Sequence, residues 1–119
     1  MLSKIISGGQ TGTDVAALRA AAAVRARHNV ALETGGACPA RYMTARGPAP
    51  ELASFNLQVM RDEGSLSAQY IMRSRRNVDD ADATLAFRFH ASVGTDRTIA
   101  YEIPRPIRIA GTLAAIGPR

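Results

Sequence analysis

Apolar and polar positions change their spacing several times along this chain, and the changes predict strands that alternate with helices. The run Leu2 to Ile6 is short and apolar, as in a buried strand. The stretch Asp14 to Arg27 is rich in Ala, Leu and Val and has arginines toward its end, which is typical of a helix. Its small alanines, Ala20 to Ala23, would let this helix lie close on a sheet. The chain therefore begins with a predicted strand, a short loop and a helix.

The rest of the chain continues this alternation. Strands are predicted at "NVALE" and "FNLQVM", with a long Gly/Pro loop, "TGGACPARYMTARGPAPE", between them. Ser65 is a suitable N-cap for a helix that ends near Asn77. The segment "ATLAFRF" is the clearest predicted strand, "VGTDRTIAYE" predicts a second glycine loop that opens a short helix, and "PIRIAG" is the last strand candidate.

This order of elements predicts an α/β fold. Alternating strands and helices favour a Rossmann-like three-layer sandwich, with a mainly parallel sheet and helices on both faces. At 119 residues the chain is expected to form a single ligand-binding domain over residues 1–119. Ligands of such sheets bind beyond the carboxyl ends of the strands. The loops "SGGQTG" and "SVGT" both follow a strand and precede a helix, so we expect them at the same edge.

Composition and charge narrow the classes of partner. With 46% hydrophobic and 21% charged residues, the chain has the composition of a soluble globular protein. It has neither an apolar run near the roughly 20 residues that cross a bilayer nor a signal-peptide pattern, so we expect a cytoplasmic protein with no membrane partner. The formal charge of +5 favours an anionic partner or reflects a GC-rich genome. Dispersed arginines and the absence of Trp argue against binding to nucleic acid.

The loop from Ser7 to Gly12 combines small and polar residues directly before a helix. A loop in this position presents unpaired backbone N–H groups and the positive end of the helix dipole. Its three glycines have no side chain to block an anion, and the hydroxyl groups of Ser7, Thr11 and Thr13 are further donors. The pattern is neither a P-loop nor a dinucleotide fingerprint. The loop therefore predicts a phosphate site, with a tight strand-to-helix turn capped by a threonine as the alternative.

Three motifs together resemble a known family. In their order and spacing, "ISGGQTGTDVAAL", "GGACPARYMTARGP" and "IMRSRRNVDDADATLAF" are similar to the putative molybdenum cofactor carrier proteins, over about Ile5 to Phe87. That family belongs to a wider Rossmann-like superfamily with the Lonely guy phosphoribohydrolases and the DNA-processing protein A fold. The resemblance implies a homo-oligomer, a dimer or tetramer, that binds a molybdopterin-type cofactor through its phosphate and protects it or hands it on.

The resemblance also assigns residues to the ligand site. The phosphate loop would consist of Ser7, Gly8, Gly9, Gln10, Thr11 and Gly12, with Asp14 at the start of the helix. Further walls would come from Gly35, Gly36, Cys38, Pro39 and Arg41, from Arg73 and Asn77, and from Gly94 and Thr95. The chain departs from the family at Ala37, where tryptophan is common, and is short between "PIRIAG" and "IGPR".

Several of these residues have a second interpretation. Asp14 either contacts the ligand or complements the helix dipole. Asp79, Asp80 and Asp82 either hold a magnesium ion or cap the end of a helix. Cys38, the single cysteine, is either a thiolate ligand of a metal or a small structural residue. No spacing in the chain indicates a zinc site or a catalytic triad, so no metal ligand or catalytic residue is assigned.

Three functions are compatible with this pattern. The first is a carrier that binds a phosphorylated pterin or nucleotide without turnover, and the second is a sensor that binds a nucleotide. The third is a phosphoribohydrolase that cleaves nucleoside monophosphates. Related enzymes place a glutamate three residues after the Gly-Thr of the second glycine loop, where this chain has Thr98, and the nearest glutamate is Glu102. We therefore expect a binding protein rather than an enzyme.

Overall fold

The computed structural model of the chain describes residues 2–86, 96–97, 100–101 and 112–116. Two α-helices and eight strands have their bounds within these residues, together with short 3-10 helices over Ala40–Tyr42 and Pro50–Phe55. Residues 96–97 and 100–101, in the predicted short helix of "VGTDRTIAYE", are helical as well. The helices are α1 (Thr13–His28) and α2 (Leu66–Asp80). The strands are β1 (Lys4–Ile6), β2 (Glu33–Gly35), β3 (Ala37–Cys38), β4 (Met43–Thr44), β5 (Gly47–Pro48), β6 (Gln58–Val59), β7 (Ala83–Ala86) and β8 (Thr112–Ile116).

A four-stranded parallel sheet is the central layer. Its strand order is β2-β1-β8-β7, and every pair of neighbours is parallel. The register places Ile5 between Thr34 of β2 and Leu113 of β8. Parallel neighbours require crossover connections, and α1 supplies the connection from β1 to β2. The predicted Rossmann-like α/β fold is confirmed.

Consecutive residues of β1 pack against the two faces of the sheet, because side chains alternate along a strand. Ile5 packs with Ala21 of α1 and with Leu32. Ile6 points to the other face and packs with Ala81, the residue after α2. The sheet therefore lies between layers that belong to different helices, as the sequence predicts.

The two helices begin and end close to their predicted limits. α1 starts one residue before Asp14 and ends at His28, where Asn29 adopts the left-handed conformation that closes many helices. α2 starts after Ser65, whose side chain accepts a hydrogen bond from the backbone N–H of Ala68 at 3.1 Å. The predicted N-cap of α2 is confirmed.

The segment between Gly36 and Val59 is more ordered than the predicted Gly/Pro loop. It contains the parallel pair β3 and β6 and the hairpin of β4 with β5. Its side chains pack on α1, because Leu18 shares a buried cluster with Cys38, Leu52 and Leu57. The "FNLQVM" strand therefore exists only as Gln58–Val59, and it lies outside the main sheet. The second strand of the main sheet begins at the last residue of "NVALE".

Several predicted features fall outside the described residues. These are most of the second glycine loop with Gly94 and Thr95, the acid position at Thr98, and the "PIRIAG" strand. The strand β8, in "TLAAI", was not predicted. In the part of the chain that the structure describes, no helix has the length and apolar character needed to cross a membrane.

Candidate functional site

The loop from Ser7 to Gly12 leaves the carboxyl end of β1 and turns directly into α1. Ser7 is buried, its N–H donates to the carbonyl of Gly35 at 3.0 Å, and its hydroxyl donates to the carbonyl of Asp14 at 2.8 Å. Gly9 and Gly12 have φ values of +71° and +84°, a region in which side chains are strained. The glycines thus allow the turn that brings the start of α1 to the edge of the sheet.

Three backbone N–H groups at the start of α1 are available to a ligand. Within the described ranges of the chain, the N–H groups of Thr11, Gly12 and Thr13 form no hydrogen bond, whereas the N–H of Val15 donates to the carbonyl of Gln10. All three of these residues are at least partly exposed. Gly12 occupies the N-cap position and provides no side-chain acceptor. The positive end of the helix dipole is therefore open at this point.

A buried arginine from α2 covers the loop at Gly8. A Cβ atom at Gly8 would overlap Nη1 of Arg73, so only glycine leaves room for the guanidinium group. Nη1 donates to Oδ2 of Asp14 at 3.2 Å. Both side chains are buried, with exposed fractions of 3% for Arg73 and 5% for Asp14. Asp14 therefore holds Arg73 against the loop, which favours a positioning role over direct contact with an anion.

The next two residues of the loop face the protein interior. A Cβ atom at Gly9 would lie 3.0 Å from methyl groups of both Leu52 and Leu57. The side-chain amide of Gln10 is buried, and its Nε2 donates to the carbonyl of Met43 at 3.0 Å. At Gly8 and Gly9 the missing side chains thus make room for protein groups, and the exposed part of the loop begins at Thr11.

The second predicted wall is tied to the loop through backbone contact. A Cβ atom at Gly36 would overlap the carbonyl oxygen of Ser7, and the φ value of Gly36 is +128°. Cys38 is fully buried in the core with Leu18 and Leu52. Burial raises the pKa of its thiol from 9.0 to about 11, although the charge of Arg73 lowers it in part. Cys38 is therefore protonated near neutral pH, which favours the structural interpretation over a thiolate ligand.

Arg41, also predicted in this wall, directs its guanidinium group to Asp62. Its backbone is left-handed, with a φ of +59°, and its side chain is exposed. The guanidinium group forms an ion pair with Asp62, which also accepts a hydrogen bond from Nε2 of Gln69 at 3.3 Å.

A polar stripe on α2 holds the second wall in place. Gln69, Arg73 and Asn77 are spaced four residues apart and are all buried. Asn77 accepts from the N–H of Ala37 at 2.7 Å and donates to its carbonyl at 3.1 Å, while Oε1 of Gln69 accepts from the N–H of Ala40 at 3.1 Å. The side-chain amide of Asn77 thus positions the backbone of Ala37. Sequence reasoning missed Gln69, although its spacing of four from Arg73 and eight from Asn77 was a usable signal.

The three aspartates after the stripe do not form a metal site within the residues that the structure covers. Asp80 pairs with Arg76 at 3.5 Å, and Asp79 accepts a hydrogen bond from the hydroxyl of Tyr101 at 2.9 Å. No group of three or more His, Cys, Asp or Glu side chains there is arranged to hold a metal ion.

The structure thus brings part of the predicted site together. Ser7, Gly8, Asp14, Gly36 and Arg73 are in mutual contact at the carboxyl end of β1, next to the open start of α1. Gln10 and Asn77 support this arrangement from the interior, and Arg41 pairs with Asp62 instead.

Comparisons with known proteins agree with the resemblance of the sequence motifs. Residues 5–110 match the model of the circularly permutated YpsA SLOG family. The structure is similar to the 1.45 Å crystal structure of a putative molybdenum carrier protein from Syntrophus aciditrophicus SB. The two chains are 26% identical with a TM-score of 0.71, and the match covers 99% of this chain and 83% of that one. No curated protein gives a significant match.

Proposed function

Because this chain belongs to the circularly permutated YpsA SLOG family, we propose that it is a carrier that binds a phosphorylated ligand of the molybdenum cofactor type at the start of α1. The name of its structural neighbour, a molybdenum carrier protein, supports the ligand class. The carrier role, the ligand and the residues of the site are all part of the proposal. The hydrolase alternative depends on an acid after the second glycine loop, which lies outside the described residues, whereas the sensor alternative differs from the carrier in binding a nucleotide signal.

One observation carries the phosphate part of the proposal. The N–H groups of Thr11, Gly12 and Thr13 form no hydrogen bond in the described regions, and they lie at the positive end of a 16-residue helix. An anion at this point would accept hydrogen bonds from rigid backbone donors and interact favourably with the dipole. The guanidinium group of Arg73 fills the space at Gly8, where its charge is paired with Asp14, so it orders the loop beside these donors.

A pair of substitutions at Thr13 tests the phosphate site. Thr13→Pro removes one N–H donor at the first helical position, where proline is well tolerated. Thr13→Ala keeps the N–H and removes only the hydroxyl. A hydrogen bond to a charged group contributes about 1.5–3 kcal/mol, so Thr13→Pro should weaken binding at least about tenfold, and Thr13→Ala much less.

Binding is measured by calorimetry with inorganic phosphate and by thermal shift with a molybdopterin-containing extract. Circular dichroism confirms that each variant retains its helices. Equal affinity of the wild type and Thr13→Pro for both probes would exclude the start of α1 as the phosphate site. Native mass spectrometry with metal analysis of freshly purified protein tests the ligand class, and a co-purifying nucleotide instead of a pterin would contradict it.

A further inference from the structure

The side of α1 that faces away from the sheet carries alanines and arginines. Every residue from Ala23 to Ala31 is exposed, and so are Ala16, Arg19 and Ala20 earlier in the helix. With about 3.6 residues per turn, residues at spacings of three and four share one face of a helix. We call this face the outer face of α1, and it consists of Ala16, Arg19, Ala20, Ala23, Ala26 and Arg27.

The inner side of the same helix already has its partners. Leu18 lies in a buried cluster with Cys38 and Leu52, and Ala21 packs with Ile5 of the sheet. α1 therefore carries apolar residues on both sides, whereas a surface helix normally has a polar outer side. Because alanine is small, a second helix can approach the outer face of α1 closely.

The arginines of α1 are not neutralised by the protein itself. Within the described ranges, Arg19, Arg25 and Arg27 form no ion pair or hydrogen bond. The acidic residue of the helix, Asp14, is buried and paired with Arg73. The helix dipole favours cations in the last turn, which accounts for Arg25 and Arg27. Arg19 lies in the middle of the helix, so its charge is available to an external acid.

A second copy of the chain has few acids to place against this face. The exposed acids that bind a partner in their own chain are Asp62, Glu63, Asp79 and Asp80. Of the exposed acids in the described ranges, Glu33 and Glu51 are the two without such a partner, and they lie in different elements, a strand and a 3-10 helix. The outer face of α1 is therefore complementary in charge to a different protein rather than to its own copy.

The composition of the outer face favours a protein over nucleic acid. Arg19 and Arg27 are separated by about 12 Å along the helix axis, with alanine methyl groups between them. Protein interfaces combine apolar contact with charged groups at the rim, whereas phosphate backbones are contacted by many Lys, Arg and polar side chains. The outer face has neither an aromatic ring to stack on a base nor a side-chain amide to read one.

We propose that the outer face of α1 docks an acidic helix of another protein, with Arg19 and Arg27 pairing with its carboxylates and the alanines packing between them. The exposed Gly12, one turn before Ala16, continues this face to the start of α1. A docked partner would therefore lie beside the phosphate site. Only this last point rests on the proposed function, and it makes the partner a donor or an acceptor of the carried ligand.

Two synthetic peptides test the charge of the partner. One is a helix of about 20 residues with glutamates and alanines on one face, and the control has glutamine in place of each glutamate. Fluorescence anisotropy measures their binding at low ionic strength, where exposed charge pairs are least screened. The glutamate peptide should bind at least about tenfold more tightly than the control, and added salt should reduce this difference. Equal binding of the two peptides would overturn the proposal.

Two matched variants locate the contact. Arg19→Glu and Arg46→Glu each reverse an exposed charge that has no partner in the described ranges, but only Arg19 lies on the outer face of α1. Arg19→Glu should weaken binding of the glutamate peptide at least about fivefold, whereas Arg46→Glu should change it less than about twofold. Thermal melting verifies that both variants are folded. An equal loss in both would show a response to net charge alone, which would contradict docking on α1.

Other occupants of this face give different results. Sedimentation of the wild type and of the double variant Arg19→Glu with Arg27→Glu should show the same oligomeric state. Dissociation of the double variant would instead place a second copy on the outer face. A short duplex DNA that binds more tightly than the glutamate peptide, and loses affinity in Arg19→Glu, would assign the face to nucleic acid. Either of these two results would overturn the proposal.

Thr13→Pro separates this inference from the phosphate site. It should bind the glutamate peptide as tightly as the wild type, because Thr13 does not belong to the outer face. If Thr13→Pro loses peptide binding and Arg19→Glu does not, the peptide binds at the start of α1 and the docking assignment fails. If Thr13→Pro retains full phosphate affinity, the phosphate assignment fails and the docking assignment holds.

Discussion

The two helices of this protein begin in different ways. At α2, the hydroxyl of Ser65 accepts a hydrogen bond from the N–H of Ala68, so the helix satisfies part of its own N-terminus. At α1, the N-cap is Gly12, which has no side chain, and the N–H groups around it are open within the described ranges. The start of α2 at Ser65 is called the closed start here, and its cap stabilises its own helix. The start of α1 at Gly12 is the open start, and its N–H groups can bind a ligand.

The surroundings of the two helix starts also differ, because one start is exposed and the other lies beside buried side chains. Residues 61–67 around the start of α2 are all exposed, so this end relies on local capping and water. The start of α1 is flanked by the buried pair of Asp14 and Arg73. A helix N-terminus next to a buried ion pair is a rigid environment, and rigidity reduces the entropy lost when a ligand binds.

The largest expected effect concerns the buried pair at the open start. Arg73→Met leaves the carboxylate of Asp14 buried without its partner, and such a change lowers the free energy of unfolding by about 3–5 kcal/mol. Urea denaturation measures the loss. The double variant Asp14→Asn with Arg73→Met should recover a large part of it, because no unpaired charge remains. A loss below about 1 kcal/mol in the single variant would show that the pair does not organise this end.

The next effect is a pH dependence in the core beneath the open start. The pKa of Cys38 is raised to about 11, so the folded state favours the neutral thiol. The contribution of this thiol to the free energy of unfolding is fully present below pH 9. It is lost as the pH rises from 9 through 11, by about 2 kcal/mol in total. The unfolding free energies of the wild type and Cys38→Ala, measured from pH 8 to 11, should converge by that amount. Parallel curves would contradict the raised pKa.

A smaller effect is expected at the closed start. Ser65→Ala removes the acceptor for the N–H of Ala68 and should lower the free energy of unfolding by about 1 kcal/mol. Ser67→Ala, at an exposed position within the same helix, is the matched control and should change stability by less than about 0.5 kcal/mol. If the two variants were equally stable, the hydroxyl of Ser65 would not act as a cap.

The smallest effect completes the comparison of the two helix starts. Thr13→Ala at the open start should change the free energy of unfolding by less than about 0.5 kcal/mol, because no side chain caps this helix. The same urea measurement applies. A loss near that of Ser65→Ala would mean that the Thr13 hydroxyl stabilises α1, and that the open start is capped after all.

Local signals in the sequence predicted the elements that depend on local interactions. The apolar run of β1, the composition of α1 and the cap at Ser65 all act within a few residues, and each prediction is confirmed. The strand β8 was missed because "TLAAI" has a weak strand pattern and is placed by its pairing with β1 and β7. The segment after Gly36 was predicted as a loop because its strands have only two residues each.

The candidate site was predicted less completely than the fold. The glycines of the loop were correctly placed before α1, but what faces them depends on residues distant in the sequence. Arg73 occupies the space over Gly8, and Leu52 with Leu57 lies beneath Gly9. A cavity beside Lys4 also escaped prediction, since it joins β1, the end of α2 and the segment near Gln58. Contacts of this kind follow from topology and leave no spacing pattern in the chain.

The position of β8 in the sheet has a consequence for how the protein folds. Lys4 pairs with Thr112, so the centre of the sheet joins segments more than a hundred residues apart. Closing so long a loop precedes any gain from pairing, and folds dominated by distant contacts form slowly. During synthesis, β1 is available to pair on one side with β2, while its other edge waits for β8. Until the ribosome has made Thr112–Ile116, that edge is open to strands of other chains, which makes delayed synthesis a risk for aggregation.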